Sequence, residues 1–403
     1  MPEQRIVLRN CGVIDPKDIS TYLSQGGFKA LEKALGELAP EQVIEEIKKS
    51  GLLGRGGAGF PTGLKWQFAS EASGEEKYVI CNADEGEVGT FKDRYILERD
   101  PFSLIEAMAI AGYAIGANKG YIYLRAEYHH LLDLLQGAIA QCEGKGFLAK
   151  QDNFKFDIEI REGAGAYVCG EETALMDSIE GERGEPRYRP PFPPSQGLWQ
   201  KPTIINNVET LMNIPPIILK GSDWFNRIGT EQSKGTKVFS VSGDVRAPGT
   251  YELVMGSSLK ELVEDFALAE KVKMVQVGGA SGRVIPYHLI DTPLAFEGVL
   301  GAGAIIVFNE NRDVIDIVRR TMEFFAEESC GKCTPCREGT QVMLEILTRF
   351  CQGQGSNQDI ENLESLANAM MLTSLCGLGQ AAPNSVVDTL AHYRSAYESL
   401  VQG

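Results

Sequence analysis

The stretch ESCGKCTPCREGT sets Cys330, Cys333 and Cys336 at C-x2-C-x2-C spacing, and Cys376 follows in SLCGLGQ. Three thiols at that spacing wrap one loop around a compact object, and a fourth from a distant segment completes a tetrahedral set. The pattern suits a [4Fe–4S] cluster, whose separate irons each take one thiolate. Zinc also accepts four thiolates, but its usual pattern is two C-x2-C pairs. Cysteines buried by chance are the remaining reading, and the spacing favours the cluster. Any fold for this chain must therefore return residue 376 to the 330–336 loop. Lys332 and Arg337 flank that loop, where positive charge would offset a negative cluster.

The other five of the nine cysteines, Cys11, Cys81, Cys142, Cys169 and Cys351, stand among apolar or small neighbours in a chain of 403 residues. They read as reduced, mostly buried thiols, since a disulfide framework would be smaller and denser. A net charge of −16 gives no basic face for nucleic acid and none for anionic lipid. The best apolar candidate, Val299–Phe308, is too short to span a bilayer. The opening MPEQRIVLRN has charges where a signal peptide has an apolar core. These features predict a cytoplasmic chain with no nucleic-acid partner and no direct membrane insertion.

The order of elements implies an α/β sheet with helical crossovers. RIVLRN reads as a short strand, and Pro40 opens a helix with Val43, Ile44 and Ile47 on one face. KYVICNA, YIYLRA and FDIEI read as strands, separated by helices over 102–116 and 129–142. PRYRPPFPPSQGLWQKP holds six prolines and reads as a rigid extended excursion. Near residue 235 the texture changes. KVFSVSGDVRAPGTYEL reads as a hairpin, SSLKELVEDF as a helix capped by Ser258, and VKMVQVGG and AIIVFNE as strands of a small α+β unit. From Asp313 onward four helical stretches suggest a bundle.

GLLGRGGAGFPTGLKW contains G-x-G-x-x-G at Gly54, Gly56 and Gly59, but a helix rather than a strand precedes it, so a dinucleotide fingerprint is not in its proper setting. Glycines 54, 56, 57 and 59 still let backbone approach a flat or phosphorylated ligand. Arg55 and Lys65 add charge for phosphate, and Phe60 and Phe68 are placed to stack on a base. The alternative is a structural loop with Phe60, Trp66 and Phe68 in the core. Three more stretches bring polar groups onto small residues: Asn82, Asp84, Glu85 and Glu87 after a buried strand, Gly170-Glu171-Glu172 before a helix, and Asn206-Asn207 before another. A cofactor rich in hydroxyls, ring amides and phosphate needs such a lining.

Taken in order, GRGGAGFPTGLKW, NADEGEVGTFKDR, GAYVCGEETAL, GEPRYRPPFPP, INNVET and ESCGKCTPCREGT resemble the NADH-binding flavoprotein subunit of respiratory complex I. The same subunit type occurs in soluble NAD-linked hydrogenases, formate dehydrogenases and electron-bifurcating complexes. The resemblance covers nearly the whole chain. It implies a Rossmann-like α/β FMN- and NADH-binding domain with an N-terminal extension over 1–234, a ubiquitin-like β-grasp domain over 235–310, and a four-helix bundle carrying [4Fe–4S] over 311–403. It also implies that Gly54, Arg55, Gly56, Gly57, Lys65, Asn82, Asp84, Gly86, Tyr167, Gly170, Glu171, Asn206, Asn207 and Thr210 line FMN. NADH would lie over the flavin, its adenine among Phe60, Phe68 and Phe192, with Glu87 and Glu172 near the ribose or nicotinamide. Cys330, Cys333, Cys336 and Cys376 would hold the cluster.

Arg189 stands where the family commonly has lysine, and the two are not equivalent at a phosphate. Gly86 and the opening IVLRNCGVIDP are more like the soluble hydrogenase group. The expectation is an NAD(H)-linked oxidoreductase subunit that passes hydride between NADH and FMN and single electrons to the cluster, without a general acid or base. A thioredoxin-like [2Fe–2S] centre and at least one further redox centre would sit on partner subunits. The nearer alternative is the peripheral NADH-oxidising subunit of complex I, and a distant one is a zinc-stabilised binding or scaffold protein.

Overall fold

The computed structural model describes residues 3–150 and 154–401. Four parallel strands form its first sheet: β1 (Tyr78–Ala83), β2 (Lys119–Leu124), β3 (Asp157–Glu162) and β4 (Thr203–Asn207), in the order β3-β2-β1-β4. This is the order of a Rossmann-type half-sheet, reversing direction between β1 and β4. Alternate residues of β1 serve two cores. Val79, Cys81 and Ala83 face one with the Pro101–Ile115 helix, and Ile80 faces the other with Tyr121, Tyr123 and Ile205. The unbroken apolar run of β1 thus reports burial on both faces.

A second sheet has the order β8-β7-β9-β5-β6, from β5 (Thr236–Gly243), β6 (Gly249–Val254), β7 (Val272–Val277), β8 (Arg283–Pro286) and β9 (Ala304–Asn309). β5 and β9 pair in parallel at its centre and the remaining pairs are antiparallel, with a helical segment at Glu261–Phe266. That is the β-grasp arrangement. The sequence pattern does not show β8, whose terminal proline is tolerated because the strand lies at an edge. Four long helices follow, Val314–Glu328, Thr334–Cys351, Asn357–Thr373 and Asn384–Glu398, together with a short Gly377–Ala381 helix directly after Cys376. Their core is continuous with the second face of the parallel sheet. Asp388 ties the last helix to β8, accepting from the Arg283 guanidinium and from Val284 N–H at 2.8 Å. No helix among the described residues is long and apolar enough to cross a membrane.

RIVLRN is not a strand. The backbone N–H groups of Ile6, Val7 and Leu8 donate to the Glu252 carboxylate at 2.9, 2.9 and 2.8 Å instead of to a sheet neighbour. Glu252 lies on β6, has no exposed surface, and also accepts from the Thr236 hydroxyl. One carboxylate therefore pins the N-terminal segment to the β-grasp sheet. Glu252→Ala leaves three buried N–H groups unpaired and is expected to lower the unfolding free energy by about 3–5 kcal/mol. Urea denaturation measures that loss, and limited proteolysis should cut the variant first in its N-terminal segment.

Candidate functional site

β1 and β4 are neighbours, and their register sets Asn82 beside Asn207 at their C-terminal ends. Open α/β sheets bind ligands at such a reversal of strand order. A cavity of about 1110 Å³ opens there. This slightly exceeds the range of about 300–1,000 Å³ usual for one small ligand and suits two stacked nucleotides. Of the expected residues, Gly54, Gly56, Phe60, Lys65, Phe68, Asn82, Gly170, Glu171, Glu172, Arg189, Phe192, Asn206, Asn207 and Thr210 line it. They come from positions as distant as 54 and 210, gathered by the loops after β1 and β4, the glycine loop and the proline-rich segment.

Each polar group has a holder. Lys65 Nζ donates to Ile205 O at 3.0 Å and lies 3.4 Å from Glu172. Arg189 donates to Glu172 at 3.0 Å, so Glu172 stands between two cations at the cavity mouth. Glu171 caps the Glu172–Glu180 helix, accepting from Thr173 and Ala174 N–H. Asn206 accepts from Trp66 Nε1 at 2.9 Å, leaving its amide N–H groups for a ligand. Asn207 is held by Lys92 at 3.2 Å and Asp93 at 2.6 Å. Trp66 is fully buried, whereas Phe60, Phe68 and Phe192 remain 45, 45 and 55% exposed on the cavity wall. Three aromatic rings left that open at one mouth have surface to stack on a planar ligand, which answers the alternative of a purely structural loop.

Six expected residues are not on the cavity wall. The Arg55 guanidinium points away from it, into the β-grasp unit, and donates to Leu53 O, Lys234 O and Thr236 O at 2.9, 2.5 and 3.1 Å. It is fully buried and cannot serve a phosphate; only the Arg55 backbone, donating to Thr210 Oγ1 at 2.8 Å, belongs to the loop beside the cavity. Glu87 is locked in a junction, accepting from the Tyr167 hydroxyl at 2.8 Å and from the Ser281 N–H and hydroxyl. Tyr167 and Gly86 belong to the same packing, since a Cβ on Gly86 would lie 3.0 Å from the Tyr167 ring. Gly57 holds φ +125, which the turn requires. Asp84 lies directly behind the cavity, its buried Oδ2 without a partner and 3.6 Å from where Gly170 would carry a Cβ. Gly377 and Gln380, which no sequence motif marks, line the cavity from the helix that follows Cys376. Only the cysteine itself was a signal there.

The four expected cysteines line one small pocket with Pro186, Ser329, Lys332, Leu375 and Leu378. Burial pushes the Cys336 thiol up to about 11 and raises Cys376, whose sulfur accepts from the N–H groups of Leu378 and Gly379. Two buried thiolates need a bound cation to ionise there. Among the described residues no three of His, Cys, Asp or Glu converge closely enough for a single metal ion. The evenly spaced triplet Cys330, Cys333 and Cys336 with a fourth thiol from Cys376 is what favours a multinuclear cluster over zinc. Lys332 donates to Pro186 O at 2.8 Å and Arg337 to Gly331 O at 2.7 Å, so both cations brace the loop. Cys351, unlike the other scattered cysteines, is exposed.

Residues 47–216 match the Nuo51 FMN-binding domain, and residues 316–400 match the NADH-ubiquinone oxidoreductase-F iron–sulfur binding region. The chain is 45% identical to an F-type NADH-quinone oxidoreductase subunit of Rhizobium meliloti, covering 98% of this chain and 97% of that one. It belongs to the family of NADH-binding FMN and [4Fe–4S] subunits. The NADP-reducing hydrogenase subunit HndC of Solidesulfovibrio fructosivorans is also 45% identical, over 98% of this chain and 83% of that one. A chain of the NAD+-reducing [NiFe]-hydrogenase crystal structure in the H2-reduced state superposes with a TM-score of 0.86 at 44% identity, covering 90% of this chain. This chain spans 63% of that chain's length. The cofactors of this family member are FMN, NAD(H) and [4Fe–4S], and the residues present fit them. The open aromatic rings, the glycine-lined wall and the Asn206 amide suit a flavin nucleotide, and the four-thiol pocket suits the cluster.

Burial raises the Asp84 carboxyl to about 7, only partly offset by Arg125. An acid raised in the fold contributes stability that is complete below its unfolded value near 4 and lost as pH rises through its folded value. In the cofactor-free protein, Asp84→Asn should therefore gain on wild type by about 2 kcal/mol between pH 5 and pH 8. Urea midpoints at the two pH values measure the change.

Proposed function

We propose that this chain is the nicotinamide-side subunit of a multi-subunit oxidoreductase of the hydrogenase, formate dehydrogenase or electron-bifurcating type. It would work in the cytoplasm beside a thioredoxin-like [2Fe–2S] subunit and at least one further redox subunit. The observation that carries this reading is the wall shared by the two sites. Gly377 and Gln380 line the nucleotide cavity, while Cys376 and Leu378, in the same short segment, line the cluster pocket. When bound, FMN would supply hydride exchange with nicotinamide and the cluster one-electron exchange.

The chain's own part is positioning. Phe60, Phe68 and Phe192 offer faces for adenine, Lys65 offers positive charge, Glu172 would meet the ribose or nicotinamide, and the strand-end asparagines would hold the flavin. No side chain needs to move a proton, because hydride transfer asks chiefly for alignment and exclusion of water. Arg189 is paired with Glu172 and lies 3.8 Å from Glu171, which leaves little bare charge for a 2′-phosphate and supports NADH over NADPH. We take the units as 1–234, 235–310 and 311–403, in keeping with the two sheets and the helices that follow them.

A second reading, the peripheral NADH-oxidising subunit of complex I, is favoured by the 45% identity to the Rhizobium meliloti NADH-quinone oxidoreductase subunit. Native co-purification separates the two: hydrogenase or formate dehydrogenase subunits support the first, and membrane-arm subunits the second. For the site, Lys65→Ala and Glu172→Ala should each lower kcat/KM for NADH with ferricyanide about tenfold or more, equivalent to about 1.4 kcal/mol. Iron content and cluster absorbance should not change. Full activity in both variants would overturn the residue assignment.

A further inference from the structure

Ser329 ends the Val314–Glu328 helix and lines the four-cysteine pocket. Its Oγ lies 3.3 Å from Cys336 Sγ, within hydrogen-bonding reach for sulfur. In the free thiol either atom is able to donate. Once Cys336 ligates iron its sulfur carries no proton and only accepts, so the serine must be the donor. The Gly331 N–H approaches Ser329 Oγ at 3.4 Å and occupies one acceptor direction of that oxygen, consistent with the hydroxyl proton turning to the sulfur. The helix end fixes Ser329 on one side, and the buried Cys336 at the start of the Thr334–Cys351 helix fixes the sulfur on the other.

We propose that Ser329 donates a hydrogen bond to the Cys336 thiolate and thereby raises the reduction potential of the [4Fe–4S] site, a tuning role through the ligand and not contact with substrate. The inference rests on the reading of the four cysteines as cluster ligands. The physical reason is that one added electron makes the site more negative, and a donor to a ligand sulfur stabilises the more negative state more strongly. No bond breaks and the serine keeps its proton.

Ser374 supplies an internal control. It is also buried near Cys336, since both Ser374 Oγ and Cys336 Cβ lie within 3 Å of the point where Gly379 would carry a Cβ. Yet its hydroxyl reaches no partner, the sulfur included. Removing it deletes a nearby hydroxyl without deleting a hydrogen bond to the ligand.

The test is an EPR-monitored redox titration of the full chain loaded with FMN and iron, comparing wild type with Ser329→Ala, Ser329→Thr and Ser374→Ala. Ser329→Ala should become harder to reduce by about tenfold in the one-electron equilibrium, which is 59 mV. Ser329→Thr and Ser374→Ala should stay near wild type, and the FMN potential should not move in any variant. Loss of iron in Ser329→Ala that Ser329→Thr restores also supports the proposal, because the hydroxyl is what serine and threonine share. An unchanged potential in iron-replete Ser329→Ala, equal shifts in Ser329→Ala and Ser374→Ala, or loss of iron in both Ser329 variants overturns it. Absence of iron and of a cluster signal in wild type would instead defeat the underlying reading of the cysteines, so the two failures are distinguishable.

Discussion

Glu209 has no exposed surface and lies between two ammonium groups, Lys237 at 2.5 Å and Lys92 at 3.0 Å. Asp93 is 2.7 Å from Lys92, and Arg55 is buried close enough for its charge to act on Glu209. Burial alone would raise the Glu209 carboxyl, but Lys237, Lys92 and Arg55 together hold it below its ordinary value. Burial lowers Lys237 to about 8, with Glu209 opposing the shift. Removing one member of such a set strands the others without water, at a cost of several kcal/mol. The members come from the glycine loop, the loop after β1, the segment after β4 and the start of β5. Their mutual need for partners indexes the β-grasp sheet to the parallel sheet, and through Asn207 it fixes one wall of the nucleotide cavity.

A second junction works on the other side. Glu87 accepts from Tyr167 and Ser281, Asn384 donates to Ser281 O at 2.8 Å, and Tyr167 N–H donates to Glu328 at 2.9 Å. The loop after β1 is thereby joined to the β-grasp unit and to the helices that carry the cysteines. These hydrogen bonds hold the nucleotide cavity and the cluster pocket in fixed relation. Glu87 has its polar atoms committed to this junction, which accounts for its distance from the cavity wall despite its place in a polar, ligand-like motif.

Much of this architecture is written locally. The strands after Lys77 and Lys119 announce themselves by apolar runs, the hairpin before residue 254 by its Ala-Pro-Gly turn, and the cluster by three evenly spaced thiols and a fourth. What could not be read depended on partners far along the chain. Arg55 looks like a phosphate ligand until Lys234 and Thr236 bring their carbonyls to it. Ile6 to Leu8 look like a strand until a carboxylate from residue 252 satisfies their N–H groups. Gln380 and Gly377 carry no pattern of their own, and only the return of the chain after Cys376 puts them against the cavity. Edge strand β8 is four residues ending in proline, too short and too irregular for alternation to show.

The proline-rich segment spans both sites. Pro186 lines the cluster pocket, and Arg189 and Phe192 to Ser195 line the nucleotide mouth. It is anchored along its length: Lys332 donates to Pro186 O, Arg187 is paired with Asp177 and Glu180, and Thr203 N–H donates to Pro193 O at 2.9 Å. Such a strap has little conformational freedom left to lose. A dinucleotide docking on this face would surrender chiefly its own torsional and translational freedom. Exchange of oxidised for reduced nucleotide across that face would then need no movement of the strap.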